Sequence, residues 1–342
     1  MRAVGHQKPS PIIDAASLVD IELPAPVAQG RDILVEVRAV SVNPVDYKVR
    51  RSTAPPPGSD WKVLGWDAAG IVRGVGGDVT LFAPGEEVFY AGSILRPGAN
   101  AELHLVDERI VGRKPRSLDW AEAAALPLTA ITAWEALFDR LDVKKPVPGA
   151  APAILIVGGA GGVGSIAIQI ARQLTDLTVI ATASRPETRQ WAGQLGAHHV
   201  VDHSKPLAGE VAALGLGAPA FVFSTTQTAQ HVKDIAELIA PQGRFALIDD
   251  PATFDIMLFK RKSASIHHEL MFTRPIFGTP DLAAQGGLLN EVSRLVDNGR
   301  LKTTLTQRLS PINAANLKQA HALIESGAAR GKIVLEGFGA RA

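Results

Sequence analysis

The sequence predicts an α/β protein in which a β-rich part accompanies a doubly wound parallel sheet. Residues 33–106 carry short apolar runs separated by Pro and Gly clusters, which is typical of short strands joined by turns. From Trp120 onward, helical and strand patterns alternate, and this alternation indicates parallel strands covered by helices on both faces. The 342 residues are enough for two domains of ordinary size.

Each predicted element rests on the period of its apolar residues. The predicted strands span, in chain order, residues 33–40, 69–75, 87–89, 101–106, 154–158, 178–183, 199–201, 220–223, 244–248, 265–270, 303–309 and 332–336. The clearest helical patterns span residues 121–141, 165–174, 286–299 and 314–326. The strands between 154 and 270 give the parallel sheet about six members, the number found in doubly wound folds.

Composition excludes several classes of function. Lys and Arg number 35 against 34 Asp and Glu, so the net charge is +1 and no basic surface for nucleic acid is predicted. The chain has no cysteine, which excludes disulfides, iron–sulfur clusters, thiolate zinc sites and a cysteine nucleophile. The N-terminus lacks the apolar core of a signal peptide, and the apolar stretch 153–171 contains a glycine-rich loop. We therefore expect a cytoplasmic protein that does not bind membranes.

A glycine motif provides the strongest functional signal. Gly159, Ala160, Gly161, Gly162, Val163 and Gly164 match G-x-G-x-x-G between an apolar strand pattern and a helical pattern. In that setting the glycines allow a tight turn, close approach of a pyrophosphate, and close helix packing. The diphosphate lies at the helix N-terminus, where N–H groups and the helix dipole favour an anion. The sequence therefore predicts a Rossmann dinucleotide-binding site formed by these six residues.

The end of the next strand favours NADPH over NADH. An NAD site usually has Asp or Glu about twenty residues after the glycines, to bind the ribose 2′-hydroxyl. Here Ser184 and Arg185 follow the strand, and a hydroxyl with a guanidinium suits a 2′-phosphate. The alternative is that Ser184 only caps the helix that begins near Pro186, with Glu187 completing a capping box. The two interpretations are compatible.

At this point the chain resembles the medium-chain dehydrogenase/reductase superfamily, in its zinc-free, zeta-crystallin-like quinone oxidoreductase branch. The resemblance rests on SVNPVDYKVR at 41–50, LGWDAAGIV at 64–72, ALPLTAITAWEAL at 125–137 and VGGAGGVGS at 157–165. Proteins of this kind are often labelled zinc-type alcohol dehydrogenase-like. The resemblance implies a GroES-like catalytic domain from residues 1–124 and 276–342, and a Rossmann NADP-binding domain over 125–275. We also expect a homo-oligomer, either a dimer or a tetramer.

The same resemblance argues against a metal. Zinc-dependent relatives hold their catalytic zinc with Cys, His and Cys, and the matching positions here are Asn43, Trp66 and Leu128. Leu128 and Trp66 offer no zinc ligand, and Asn43 alone does not form a tetrahedral site. The histidines at 198–199, 203 and 267–268 lack paired i, i+4 spacing, so structural roles are favoured for them. We expect no metal site.

Three residues near position 43 are candidates for catalysis. Asn43 and Asp46 fit the N-cap and third position of a helix with Pro44 at its start. The resemblance implies that this helix borders the nicotinamide and that Lys48 lies near the ribose and substrate. A protonated Lys48 would stabilise negative charge on a carbonyl oxygen during hydride transfer. The alternative is a solvated Lys48 beside Arg50 and Arg51. Asn43, Asp46 and Lys48 are thus the catalytic candidates.

Three further residues complete the predicted cofactor site. The resemblance implies that Thr129 contacts the nicotinamide. Ser224 and Thr225 follow the fourth parallel strand, at the sheet edge where a dinucleotide runs. The whole predicts an NADPH-dependent oxidoreductase that reduces quinones or α,β-unsaturated carbonyls by metal-free hydride transfer. The alternatives are an NADPH-binding protein with a structural or regulatory role, and a disfavoured zinc-dependent alcohol dehydrogenase.

Overall fold

The structure is a computed structural model that describes residues 1–339 and divides into two compact units. The first unit consists of Met1–Ile131 and the C-terminal part of the chain from Phe272 onward. The second unit is Thr132–Met271. The predicted roles of the two parts, catalytic and NADP-binding, and the predicted limits at 124 and 276 stay predictions.

The strands and helices of residues 1–339 are as follows. The strands are β1 (Arg2–His6), β2 (Val19–Glu22), β3 (Asp32–Val42), β4 (Lys62–Val63), β5 (Ala68–Val75), β6 (Glu87–Tyr90), β7 (Leu103–Asp107), β8 (Val111–Arg113), β9 (Ala151–Val157), β10 (Thr178–Thr182), β11 (His199–Val201), β12 (Pro219–Ser224), β13 (Arg244–Leu247), β14 (Ser265–His268), β15 (Leu305–Leu309) and β16 (Lys332–Glu336). The α-helices are α1 (Pro44–Ser52), α2 (Trp120–Ala124), α3 (Pro127–Trp134), α4 (Gly162–Leu174), α5 (Pro186–Gln194), α6 (Leu207–Ala212), α7 (Thr228–Leu238), α8 (Thr273–Phe277), α9 (Ala284–Asp297) and α10 (Ala314–Glu325). Short 3₁₀ turns span Glu108–Ile110 and Ile256–Lys262, and a π-helical turn spans Glu135–Arg140.

The first unit is built on two sheets. Strands β2, β1 and β4 form a small antiparallel sheet, and β15, β16, β3, β5, β6 and β8 lie in that order in a larger one, with β7 also paired to β3. Alternate residues of β3 are buried up to Val37, and the strand is buried on both faces from Ala39 onward. This change places the end of β3, and the start of α1 that follows it, inside the unit.

One predicted helix is divided in the structure. The apolar pattern over 121–141 forms α2, α3 and the π-helical turn rather than one continuous helix. Pro127 begins α3, and because it has no N–H it cannot continue the hydrogen bonding of α2. The division gives α3 an N-terminus of its own beside the predicted site residue Thr129.

The second unit is a doubly wound fold. Its six strands are all parallel and lie in the order β11, β10, β9, β12, β13, β14, which confirms the predicted sheet. Leu155, Val157, Val222 and Phe245 are buried in its core. The strand order reverses between β9 and β12, and in such sheets ligands bind at the carboxyl ends of the strands beside this reversal. Within residues 1–339, no helix is long and apolar enough to cross a bilayer.

A buried carboxylate pair makes the second unit sensitive to pH. Burial, followed by the charge of and hydrogen bond to Glu135, raises the pKa of Glu269 to about 8, although Arg140 Nε lies 2.8 Å from its Oε2. Because the folded pKa exceeds the unfolded one, this group stabilises the fold fully below about pH 4.5 and loses that contribution as the pH rises towards 8.

Glu269→Gln mimics the protonated form. We expect the Tm of the variant minus the Tm of the parent protein to increase as the pH rises from about 5 to 8, because only the parent has a carboxyl group that must lose its proton in the fold. A thermal melt series tests this, and a Tm difference independent of pH contradicts it.

Candidate functional site

The glycine loop joins β9 to α4 at the point where the strand order reverses. Gly158 has a φ of +80°, and Gly161 is the N-cap of α4 without a side-chain cap. Gly161 N–H donates to Gly158 O at 3.1 Å, which closes the turn. The first N–H groups of a helix have no partners within the helix, so this N-terminus suits an anion.

The three glycines of the motif are required for different reasons. A Cβ on Gly159 would lie 2.8 Å from Ala181 Cβ, and one on Gly164 would lie 2.2 Å from Gly158 O. Both positions therefore need glycine for the packing of the chain itself. A Cβ on Gly161 would meet no atom nearer than Gly158 O at 3.5 Å, an ordinary contact. Folding alone does not require glycine at 161, whereas a pyrophosphate lying against the backbone does. The loop thus fits a dinucleotide.

The residues predicted to bind the 2′-phosphate follow the end of β10. Ser184 is half-buried, and Arg185 is exposed with its Nε 3.2 Å from Glu187 Oε1. Helix α5 begins at Pro186 with Arg185 as its N-cap and no side-chain cap. The alternative that Ser184 caps this helix is therefore wrong, because Ser184 lies one residue too early. Its hydroxyl is not used for capping.

His203 joins this group, although sequence reasoning treated it as a structural histidine. It follows β11, and its Nδ1 shares a 3.2 Å hydrogen bond with Thr182 Oγ1 at the end of β10. Partial burial lowers the pKa of His203, and the positive charge of Arg185 lowers it further. The adjacency of β10 and β11 in doubly wound sheets was the signal that could have identified His203.

Ser224 and Thr225 lie at the carboxyl end of β12, as their place in the sequence predicts. Ser224 is buried, and its Oγ accepts a 2.8 Å hydrogen bond from Thr228 Oγ1. Thr225 Oγ1 donates to Val157 O at 2.8 Å, and a Cβ on Gly158 would lie 2.5 Å from it. The Thr225 hydroxyl therefore supports the start of the glycine loop, whereas the Ser224 hydroxyl is bonded to Thr228, at the start of α7. Direct contact of either with a cofactor stays a prediction.

In the first unit, α1 starts as the sequence predicts. Asn43 is the N-cap, and its N–H donates to Asp46 Oδ2 at 2.7 Å. Asp46 Oδ1 accepts a second backbone N–H, from Gly65, at 3.0 Å. Burial raises the pKa of Asp46 to about 7 despite these two bonds. Asn43 and Asp46 are both buried and hydrogen-bonded within the chain, and a catalytic role for either stays a prediction.

Asp67 and Lys332 extend this cluster, and sequence reasoning missed both. Asn43 Nδ2 donates to Asp67 Oδ2 at 2.9 Å, and Lys332 Nζ lies 3.1 Å from the same oxygen. Lys332 Nζ also donates to Asn43 Oδ1. Burial raises the pKa of Asp67 and lowers that of Lys332. A lysine and an aspartate are rarely this deeply buried unless they are paired.

Lys48 and Thr129 differ in exposure. Lys48 lies on the exposed face of α1, whereas Thr129 is buried and its Oγ1 donates to Leu126 O at 3.1 Å. Arg50 is buried and donates to Glu325, but the alternative concerns Lys48, whose exposure is compatible with a solvated residue, so both interpretations of Lys48 stay open. The roles predicted for Lys48 and Thr129 towards substrate and nicotinamide stay predictions.

Comparison with known proteins agrees with both units. Residues 29–116 match the family model for the alcohol dehydrogenase GroES-like domain, and residues 195–335 match the model for zinc-binding dehydrogenase. A zinc-type alcohol dehydrogenase-like protein of Staphylococcus aureus (strain MSSA476) is 40% identical over 342 residues, which covers 98% of this chain and 99% of that protein. The GroES-like and doubly wound fold class predicted from the sequence is confirmed.

Two solved structures are similar over the full length. A protein of Rhizobium etli CFN 42, provisionally named a zinc-dependent alcohol dehydrogenase, is 80% identical, with a TM-score of 0.98 over 99% of both chains. Escherichia coli quinone oxidoreductase, solved in complex with NADPH, is 23% identical, with a TM-score of 0.82 over 98% of this chain and 100% of that one. The second likeness shows a shared fold.

The names of two of these relatives mention zinc, but the residues at the three positions that match the zinc ligands of zinc-dependent relatives do not suit it. Trp66 Nε1 donates to Ser93 O at 3.1 Å, the side chain of Leu128 has no ligand atom, and the amide of Asn43 lies between Asp67 and Lys332. An ammonium group beside Asn43 would repel a metal ion. Across residues 1–339, no group of three or more His, Cys, Asp or Glu residues is arranged to hold one.

Proposed function

Because the chain belongs to the medium-chain dehydrogenase/reductase superfamily, and is thereby an oxidoreductase of that group, we propose that it reduces quinones or α,β-unsaturated carbonyls with NADPH. The observation that carries the proposal is the glycine loop, where Gly161 leaves room for a pyrophosphate beside the end of β10. The mismatch of Asn43, Trp66 and Leu128 with zinc supports a reduction that does not pass through a zinc alkoxide.

The preference for NADPH rests on three side chains in the second unit. Ser184 offers a hydroxyl, Arg185 offers a guanidinium, and His203 is hydrogen-bonded to Thr182 at the end of β10. A guanidinium binds a phosphate through two parallel hydrogen bonds to charged oxygens. A ribose hydroxyl has one uncharged oxygen and cannot accept such a pair. These residues would therefore distinguish the cofactors by their 2′-substituent.

NADPH supplies the hydride when it is bound. The glycine loop would hold its diphosphate at the N-terminus of α4, and Thr129 would contact the nicotinamide. As hydride reaches the substrate, an electron pair moves onto the carbonyl oxygen. Lys48 would stabilise that charge as a hydrogen-bond donor, and a proton from Lys48 or water would complete the reduction.

A panel of quinones and enones tests the proposed activity. We expect NADPH consumption with members of the panel, together with formation of the reduced product. Tight NADPH binding without turnover of any member would instead support a structural or regulatory role. The predicted cytoplasmic location and homo-oligomeric state stay predictions.

The cofactor preference has a direct test. We expect NADPH to bind at least about tenfold tighter than NADH, because a charge-assisted pair contributes about 1.5 to 3 kcal/mol. Arg185→Ala should narrow the difference, as measured by fluorescence titration with both nucleotides. Arg261→Ala is the matched control, since Arg261 is an exposed arginine of the second unit that precedes β14 at the opposite edge of the sheet. Equal dissociation constants in the parent protein contradict the assignment.

A further inference from the structure

We propose that Asp67 and Lys332 are positioning residues for hydride transfer, whose ion pair fixes the first residues of both α1 and α3. The inference rests on the proposed function, because those two helices carry Lys48 and Thr129. It assigns a role in the reaction to residues that touch neither substrate nor cofactor.

Lys332 has acceptors on three sides. Its Nζ donates to Val42 O at 3.0 Å and to Asn43 Oδ1, and it lies 3.1 Å from Asp67 Oδ2. An ammonium group has three N–H donors, and each therefore has an acceptor. Lys332 belongs to β16, whereas Val42 and Asn43 are the end of β3 and the N-cap of α1. The lysine thus fixes the point where the chain leaves the sheet and enters α1.

Asp67 extends the same network to α3. Its Oδ1 accepts the backbone N–H of Leu128 at 2.9 Å, and its Oδ2 accepts Asn43 Nδ2 at 2.9 Å. Leu128 is the second residue of α3, and Thr129 follows it directly. One carboxylate therefore joins the start of α3 to the N-cap of α1. A change in either bond would shift the helix that carries Thr129 or the helix that carries Lys48.

Stability alone does not account for an ion pair at this depth. Asp67 is fully buried and Lys332 is 3% exposed, so both charges lose their hydration. Replacing such a pair by neutral residues of similar volume is often neutral or stabilising, whereas breaking it is costly. What the pair does provide is directional bonding to two helix starts. Asn43 and Leu128 stand at two positions that hold zinc in zinc-dependent relatives. Both are hydrogen-bonded to Asp67, so in this chain the ion pair holds these two positions in place.

The double variant Lys332→Met/Asp67→Asn tests the proposal. It removes both charges of the pair together, and with Lys332 go the bonds to Val42 O and Asn43 Oδ1. An asparagine at 67 still offers an acceptor to Leu128 N–H, but this bond becomes a weaker, neutral one. We expect a Tm close to that of the parent protein and a kcat lower by about tenfold to a hundredfold through misplacement of the helices. The dissociation constant for NADPH should change much less than kcat, because the proposed phosphate contacts belong to the second unit. If the double variant does not fold, Asp67→Glu, which keeps both charges but moves the carboxylate by one methylene, is measured by the same criteria.

Lys114→Met is the matched control. Lys114 is a buried lysine of the same unit whose Nζ donates to Pro115 O at 2.9 Å and Leu118 O at 2.7 Å and lies 3.2 Å from Glu87 Oε2. We expect it to lower Tm without lowering kcat. Parent-like kcat in the double variant overturns the proposal, as does a loss of kcat matched by an equal loss of Tm and NADPH affinity.

Hydrogen exchange separates this proposal from the proposed function. We expect amides in residues 43–48 and 126–131 to exchange faster in the double variant, with the rest of the first unit unchanged. If the parent protein turns over no quinone or enone, the proposed function fails, and exchange in these two segments still decides whether the pair positions them. Unchanged exchange in both segments overturns the positioning role.

Discussion

Gly161→Val is expected to reduce NADPH affinity by more than about a hundredfold while the second unit stays folded. A branched side chain at 161 would occupy the space that the diphosphate needs. The protein itself accommodates a Cβ there, since its nearest neighbour would be Gly158 O at 3.5 Å. The loss is therefore expected in binding and not in folding. Fluorescence titration with NADPH, together with thermal melts without nucleotide, measures the two effects separately.

Two further glycine variants are controls for this experiment, one expected to have no effect and one expected to destabilise the fold. Gly193→Val makes the same change at an exposed position of α5, where a Cβ meets nothing within 4 Å, and we expect unchanged NADPH affinity. Gly164→Val should unfold the unit or lower its Tm severely, because its Cβ would lie 2.2 Å from Gly158 O. A folded Gly161→Val protein that still binds NADPH normally would show that the dinucleotide binds elsewhere.

Local sequence patterns predicted the features that depend on neighbouring residues. The glycine loop, the N-cap Asn43 and the parallel strands each follow from residues a few positions apart, and all three are present. The start of α5 shows the limit of this reasoning. Ser184 and Glu187 have the spacing of a capping box, but Pro186 begins the helix with Arg185 as N-cap. Spacing alone could not distinguish the two starts.

The buried network could not be predicted in the same way. Asp67 precedes β5 and Lys332 begins β16, and only the pairing of both strands with β3 brings them to Asn43. In the sequence Lys332 is an ordinary charged residue next to an apolar run. His203 was missed for a related reason, since its contact with Thr182 depends on the pairing of β10 with β11. Interactions across strands need a topology before they can be inferred.

Lys48→Ala is expected to lower kcat by more than about tenfold, since removing one well-placed donor to a developing oxyanion costs about 3 kcal/mol. Lys48 is exposed on α1, so the change should leave Tm nearly unchanged. NADPH affinity should also persist, because the proposed phosphate contacts belong to the second unit. Steady-state kinetics with a quinone or enone from the active panel provides the measurement. Lys48→Arg retains the charge and should recover part of the rate.

Arg51→Ala controls for charge on the same helix, because Arg51 is also exposed on α1. Exhaustive chelation accompanies these variants, since a mechanism that relies on Lys48, the cofactor ribose or water for carbonyl polarisation predicts unchanged activity. Activity lost to the chelator and restored by zinc would contradict that mechanism. Parent-like kinetics in Lys48→Ala would leave Lys48 as a solvated residue of α1. If Arg51→Ala and Lys48→Ala lower kcat equally, the effect comes from the summed positive charge of the helix, because a single positioned donor predicts a loss confined to Lys48.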